Sequence, residues 1–223
     1  MEQRPQDRYK TRAQIIFEAL RDEIMLGAVM PGAVLAQDEI AERFQVSRIP
    51  VREALRMLAM ERAVDLRPHH RAVVRKFSAG EIEDIFLIRS ILEPKAGAMA
   101  CRHIQDTDLA TLRDLLAEME PLTRPEDLVR YLQLNRAFHM TIYRRAGSPI
   151  LEGLLAHYID QSSRFIHIYL KATDTFAKAH VDHLEIYRAS EARDPAVLAQ
   201  LIEGHVRQTL AVLNESTFQA FRA

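Results

Sequence analysis

Residues 37–61 read QDEIAERFQVSRIPVREALRMLAME, and this stretch decides the fold of the first part of the chain. Apolar residues recur at helical spacing on both sides of a short polar break, which predicts two helices joined by a tight turn. Ser47 stands at the break, where it is placed to cap the second helix, and Pro50 falls in the first turn of that helix. The second helix opens with Arg48 and Arg52 on its exposed side. A short helix that braces a helix beginning with guanidinium groups is typical of DNA recognition.

The flanking sequence predicts a complete winged helix-turn-helix. An amphipathic pattern over about residues 11–27 predicts a helix before the pair. After the pair, residues 63–67 and 72–75 are two short strand-like runs, and residues 68–71 join them. Three helices followed by a two-stranded ribbon is the element order of a winged domain, which we place at residues 1–77.

The rest of the chain, residues 78–223, is predicted to be entirely helical. Ser78 and Glu81 have the spacing of a capping box, which marks the boundary between the two domains. Six amphipathic stretches follow, separated by proline, glycine and aspartate, at about residues 79–102, 106–120, 125–147, 150–172, 174–191 and 194–219. Six such helices predict an antiparallel bundle with its own core. The predicted fold class is therefore mainly α, a winged helix-turn-helix followed by a six-helix bundle.

Composition restricts the classes of protein. The formal net charge is −1, but residues 47–76 hold 8 basic and 3 acidic side chains, which suits contact with a polyanion. No apolar run approaches the roughly 20 residues that span a bilayer, so we expect no membrane partner. The first residues lack the apolar segment of a signal peptide. The single cysteine, Cys101, predicts a reducing compartment, and hence a cytoplasmic protein.

The order of these motifs resembles the GntR family of bacterial transcription regulators. The residues that carry the resemblance are Leu26-Gly27, Pro31-Gly32, Leu35, Glu39-Ile40-Ala41, Val46-Ser47-Arg48, Pro50-Val51-Arg52-Glu53-Ala54-Leu55 and Leu58. The helical second domain resembles the FCD type of the FadR subfamily. Because it has six predicted helices and not seven, it is similar to the VanR-like branch of that subfamily. The resemblance implies a ligand-responsive homodimer that binds a palindromic operator in double-stranded DNA.

The resemblance assigns base contacts to Arg48 and Arg52, because a guanidinium group donates two hydrogen bonds to guanine O6 and N7. Ser47 and Gln37 stand at predicted helix N-termini, where phosphate oxygens bind. The tip of the wing is expected to reach the minor groove through His69, His70 and Arg71. Taken singly, each arginine is also compatible with a solvated charge or an Arg–Glu pair.

Three residues depart from the family pattern. Ile49 stands where the family has threonine or another small polar residue. Ala63 follows the recognition helix and Arg71 lies at the wing tip, where the family has glycine. Loss of the wing glycine predicts that the ribbon closes differently. The expected DNA contacts therefore depend on Arg48 and Arg52 more than on the wing.

Three helices of the predicted bundle each direct a histidine inward. Asn135 and His139 lie one turn apart on the third bundle helix, His183 lies on the fifth and His205 on the last. Buried imidazoles either find hydrogen-bond partners or share a metal ion, and the pattern alone leaves both open. These four residues match the metal ligands of FCD domains, which implies a divalent metal site. Three imidazoles and one oxygen suit Zn²⁺ or Ni²⁺.

Arg89 shares the apolar stripe of the first bundle helix, so its charge requires a nearby anion. Glu93, one turn later, is one source of that anion. A small organic acid that acts as effector, in the manner of the FCD family, is the other. Arg164 on the fourth bundle helix is a second candidate for contact with the effector.

Two other classes of function stay open. Three histidines with a free coordination position also describe a hydrolytic zinc enzyme, although no HExxH motif supplies a general base. The second alternative is a regulator whose histidines are purely structural and bind no metal. The DNA-recognition motif favours a regulator, and we expect no enzymatic activity.

Overall fold

The computed structural model describes residues 10–25, 27–68, 71–172 and 176–221, with all their side chains except those of residues 125, 164–172, 177, 212 and 214–221. The chain divides into two compact units, Met1–Phe77 and Ser78–Ala223. Within the described residues the chain is mainly helical, and its one small sheet belongs to the first unit. The predicted fold class is confirmed.

The first unit contains the predicted helix pair. Its described elements are α1 (Arg12–Met25), β1 (Val34–Ala36), α2 (Gln37–Phe44), α3 (Arg48–Met60), β2 (Val64–Arg67) and β3 (Arg71–Val74). Gln45 ends α2 in the left-handed conformation (φ 52°), which turns the chain sharply toward α3. Ser47 occupies the N-cap position of α3, but its side chain makes no capping hydrogen bond. The predicted N-cap position of Ser47 is therefore confirmed without the capping bond, and the residue is exposed.

The predicted two-stranded ribbon is a three-stranded antiparallel sheet in the order β1-β3-β2. Leu35 of β1 pairs with Ala72 of β3, and Leu66 of β2 pairs with the same residue from the other side. β1 was not predicted, because a strand of three residues is too short to show alternation. The added strand ties the segment before α2 to the wing.

One side of α3 supplies much of the core of the first unit. Val51, Leu55 and Leu58 are almost fully buried and pack with apolar residues of α1 and the sheet. Because these residues recur at i, i+4 and i+7, the opposite side of the helix faces solvent. That side carries exposed residues from the first turn onward, namely Arg48, Ile49, Arg52 and Arg56.

The second unit is a six-helix bundle in its described residues. Its helices are α4 (Ala79–Ala100), α5 (Asp106–Met119), α6 (Leu128–Tyr143), α7 (Pro149–Ala172), α8 (Phe176–Ala192) and α9 (Pro195–Phe221). The predicted capping box begins α4, where the Glu81 amide donates to Ser78 Oγ (3.3 Å) and the Ser78 amide donates to Glu81 Oε2 (3.0 Å). The single helix predicted over 125–147 is α6 flanked by two short 3₁₀ turns.

The bundle is held together most extensively by α4 and α9. Gly97 allows this close approach, because a Cβ at that position would collide with Ile202 of α9. Cys101 is buried just beyond the end of α4. Among the described helices, none has the length and apolar character of a membrane span.

Candidate functional site

The exposed side of α3 presents the arginines expected to contact DNA. Arg48 forms an ion pair with Asp38 of α2, and these side chains are 70% and 67% exposed. A pair this exposed contributes little stability and exchanges readily with a stronger anion. Arg52 is also exposed, one turn further along the helix. Both predicted base-contacting arginines therefore lie on the accessible side of α3.

A cleft of about 290 Å³ lies between α3 and the wing, and four arginines line it together with Gln37. Arg52 and Arg56 come from α3, Arg67 ends β2 and Arg71 begins β3. Arg67 and Arg71 stand opposite each other in the sheet register, where like charges repel. Within the described part of the chain, no ion pair neutralises these four guanidinium groups. The cleft therefore has the charge and shape to hold a phosphate backbone.

The predicted DNA-binding residues are placed as follows. Arg52, Arg71 and Gln37 line the cleft, and Ser47 is exposed at the start of α3. His69 and His70 lie outside the described residues. Arg67, which was not among the predicted residues, also lines the cleft and pairs with Arg71 in the sheet.

The helical unit brings the three predicted histidines together. His139 of α6, His183 of α8 and His205 of α9 each offer a ring nitrogen, and these nitrogens all lie within 4.8 Å of one another. The Nε2 atoms of His139 and His183 are 3.2 Å apart. His139 and His183 are fully buried, and His205 is nearly so. The inward positions predicted for these three side chains are present in the structure.

This cluster fits a divalent metal ion. Two nitrogens bound to one tetrahedral zinc at about 2.0–2.1 Å are separated by roughly 3.3 Å, which is close to the 3.2 Å between His139 Nε2 and His183 Nε2. The Nδ1 atoms of both rings are buried without a hydrogen-bond partner among the described residues. An ion at the centre of the cluster would bind the Nε2 atoms and not these Nδ1 atoms, so the fit to a metal rests on the spacing of the Nε2 atoms.

The environment keeps the imidazoles of His139 and His183 neutral, the form that binds metal. Burial lowers the pKa of His139 well below its usual range, and the neighbouring His183, His205 and Arg89 lower it further. Burial likewise lowers the pKa of His183, with additional repulsion from His205 and His180. Each ring therefore keeps a lone pair available near neutral pH.

Asp182 is a member of the site that the sequence analysis missed. Its Oδ2 lies 3.2 Å from Nδ1 of His205. A carboxylate on one ring nitrogen sets the tautomer and leaves the other nitrogen for a metal. Asn135, the fourth predicted ligand, is buried on α6 one turn before His139.

A buried polar network extends from the cluster toward α4. The ring of Tyr143 stacks on His139, with centroids 6.0 Å apart, and its hydroxyl donates to Glu93 Oε2 (2.6 Å). Arg89 donates from Nε to Glu93 Oε1 (2.5 Å) and from Nη1 to Ser162 Oγ (2.7 Å). Burial and the neighbouring Glu93 raise the pKa of Tyr143 well above its usual range. The Tyr143 hydroxyl therefore remains a donor.

Glu93 thus supplies the anion that Arg89 requires, which is one of the two alternatives predicted from the sequence. Arg89 is connected to the histidine cluster through Glu93 and through Tyr143, whose ring stacks on His139. The side chain of Arg164, the second predicted effector contact, lies outside the described residues.

The two carboxylates described beside the histidine cluster are both hydrogen-bonded within the protein. Glu93 accepts from Arg89 and Tyr143, and Asp182 pairs with His205.

Comparisons with known proteins agree with both halves of this description. The model of the gntR family of bacterial regulatory proteins matches residues 12–74, and the FCD domain model matches residues 84–208. The chain is 26% identical to the HTH-type transcriptional regulator McbR of Escherichia coli K12 over 87% of this chain and 89% of that protein. It is 25% identical to the transcriptional repressor RspR of the same organism, over 87% and 86%.

A solved structure, that of E. coli McbR/YncC, has the same fold. The two chains superpose with a TM-score of 0.84 at 25% identity, over 92% of this chain and 98% of that one. The domain models and these relatives are all of transcription regulators, which disfavours the zinc-hydrolase alternative. The chain belongs to the GntR family of bacterial regulatory proteins and is a DNA-binding transcription regulator that carries an FCD domain.

Proposed function

We propose that this regulator is a homodimer that binds a palindromic operator, and that a metal-bound small organic acid in its helical unit controls that binding. The observation that carries the proposal is the buried cluster of His139, His183 and His205 in a chain whose other unit binds DNA. A DNA-binding protein has no need of such a cluster for contact with DNA, so the cluster is a second site with a separate ligand.

The metal would be held by the three histidines, with Asn135 supplying an oxygen. Imidazole and amide ligands favour Zn²⁺ or Ni²⁺ over Mn²⁺. A bound ion supplies a Lewis-acidic centre for a carboxylate oxygen. Aromatic rings of Phe138 and Tyr143 pack against the histidines and keep bulk water from the site.

The acid would be held from the side of α4 by Arg89, and Arg164 remains the second proposed contact. Because Arg89 is already paired with Glu93, the incoming carboxylate exchanges with an internal one. Such an exchange keeps the buried charge of Arg89 paired, while the displaced carboxylate of Glu93 must find another partner. It also changes the hydrogen bonds of Tyr143 and Ser162, which link three helices.

Control of DNA binding follows from linkage between the two sites. An effector changes operator affinity only by the difference between its affinities for the DNA-bound and free conformations, and typical couplings are about 5–150-fold. The name of RspR, a transcriptional repressor, supports a repressor role for this chain.

Selection of duplexes from a random DNA library by the full-length chain tests the dimer and the operator together. We expect recovered sites to be inverted repeats with half-site centres about one helical turn apart, because two recognition helices of a two-fold dimer enter successive major grooves. Light scattering should give twice the 25.6 kDa chain mass. Recovery of single half-sites, or a monomer that still binds DNA tightly, would contradict the proposal.

The arginine-lined cleft predicts a specific salt dependence. Arg56→Ala combined with Arg67→Ala should make the slope of log K against log salt concentration less negative by about 1.8 per chain, since each phosphate contact contributes about 0.9. Fluorescence anisotropy with random-sequence duplex DNA at several salt concentrations measures the slope. Arg207→Ala, an exposed arginine of α9 that pairs with Glu203, is the control and should leave it unchanged. An unchanged slope in the double variant would rule out phosphate binding in the cleft.

The contact between Asp182 and His205 predicts a graded effect on metal binding. Asp182→Asn keeps the shape of the side chain but weakens the hold on the imidazole. Loss of such a partner typically lowers metal affinity by about 10–100-fold. Competition with a chromophoric zinc chelator measures the affinity. Asp160→Asn, a carboxylate that pairs with Arg136 instead, is the matched control. Equal zinc affinities for both variants and the unaltered chain would remove Asp182 from the site.

A further inference from the structure

Ile49 is an exposed apolar side chain in the first turn of α3. It is 61% exposed and follows directly after Arg48. Single exposed apolar residues are common on protein surfaces and need no explanation by themselves. The position of Ile49 sets it apart, because residues at the N-terminal end of a recognition helix are those that contact base edges.

Ile49 lies on the same side of α3 as the arginines. Ile49, Arg52 and Arg56 follow one another at i, i+3 and i+7, and all three are exposed. The buried residues Val51 and Leu58 lie on the opposite side of the helix. If the arginines face the floor of the major groove, the branched side chain of Ile49 faces it as well.

An isoleucine side chain has no donor or acceptor, so it cannot take part in a hydrogen-bond code. The only apolar group on a base edge in the major groove is the C5-methyl group of thymine. An apolar side chain placed there gains by contact with that methyl group and loses by facing the polar edge of another base.

We propose that Ile49 is a specificity-determining residue that selects a thymine beside the base contacted by Arg48 or Arg52, through contact with the C5-methyl group. The proposal rests on the proposed entry of α3 into the major groove. It adds an apolar element to a surface that otherwise selects guanine through guanidinium groups. Operators of this regulator then carry a fixed dT in each half-site.

Replacing single dT residues by dU tests this contact, because the substitution removes only the methyl group. The probe is the duplex that the full-length chain selects from a random library, with each dT of one half-site replaced in turn. Removal of one buried methyl group should lower the affinity of the unaltered chain about fourfold at one position. At the other positions the affinity should stay within about 1.5-fold of that for the unmodified duplex.

The variant Ile49→Ser should lose this sensitivity, so that dT and dU probes bind it equally at that position. Met60→Ala is the matched control. Met60 is exposed on the same side of α3 but lies 11 residues later, about 16 Å along the axis. It should behave as the unaltered chain. Circular dichroism checks that both variants fold, which is expected because both residues are exposed.

Two results would overturn the inference. One is a selected site in which no dT-to-dU replacement weakens binding by the unaltered chain. The other is an Ile49→Ser variant that retains the same fourfold discrimination. The proposed entry of α3 into the major groove fails by a different result. In that case the variant Arg48→Ala with Arg52→Ala would still bind the same dT probe, and the inference about Ile49 would fail as well.

Discussion

Replacing Arg48 and Arg52 together by alanine is expected to lower the affinity for operator DNA by at least about a thousandfold. Each bidentate contact between arginine and guanine is worth about 1–3 kcal/mol. The proposed dimer would make four such contacts, so even the lower bound amounts to about 4 kcal/mol, or roughly three powers of ten. Both side chains are exposed on α3, so their loss should leave the fold intact.

Fluorescence anisotropy with the selected operator, at one fixed salt concentration, measures this loss. Arg207→Ala on α9 is the control for removal of one exposed charge, and its affinity should stay within about twofold because this arginine lies outside the winged unit and is paired with Glu203. A double variant that binds the operator within about fivefold of the unaltered chain would refute the assignment of α3 as the helix that contacts bases.

The second large effect concerns metal binding. Replacing His183 and His205 together by alanine leaves one histidine in the cluster, and one imidazole does not hold Zn²⁺ at micromolar concentrations. We expect metal content to fall from about one ion per chain to below about 0.1, since structural zinc sites use four ligands. Elemental analysis of protein purified without a histidine tag measures the content.

Thermal unfolding provides an independent readout of the same variant. Zinc at about one hundred times its dissociation constant should stabilise the unaltered helical unit by about 2.7 kcal/mol, or about 5–10 °C in Tm. The double variant should show no zinc-dependent change. His157→Ala, an exposed histidine of α7, is the control and should retain both the metal and the shift. Full metal content in the double variant would exclude the proposed ligand set.

Local patterns in the sequence were sufficient for most of the fold. The apolar spacing of α3 and the capping box of Ser78 and Glu81 are encoded within a few residues of each other, and both are present. Strand β1 was missed because its three residues are stabilised by pairing with β3, almost forty residues later. Ser47 occupies its predicted cap position without a capping bond, because the right residue at a cap does not ensure the bond geometry.

The histidine positions could be predicted because each lies on the apolar stripe of its own helix. Contacts between helices could not be predicted in the same way. Three of these contacts join residues far apart in the sequence. The separation is 23 positions for Asp182 and His205, 50 for Glu93 and Tyr143, and 73 for Arg89 and Ser162. These pairings depend on how the bundle closes. For this reason the sequence left the counterion of Arg89 open, and the structure shows that Glu93 supplies it.

The central claim is that the helical unit makes DNA binding conditional on a metal-bound acid. The most direct measurement is operator affinity of the full-length chain without metal, with saturating Zn²⁺, and with Zn²⁺ plus each member of a panel of small di- and hydroxycarboxylic acids. We predict that at least one acid changes the affinity at least fivefold in the presence of Zn²⁺, with no change in its absence or in His183→Ala with His205→Ala. The same affinity under all of these conditions, across the panel, would contradict the account.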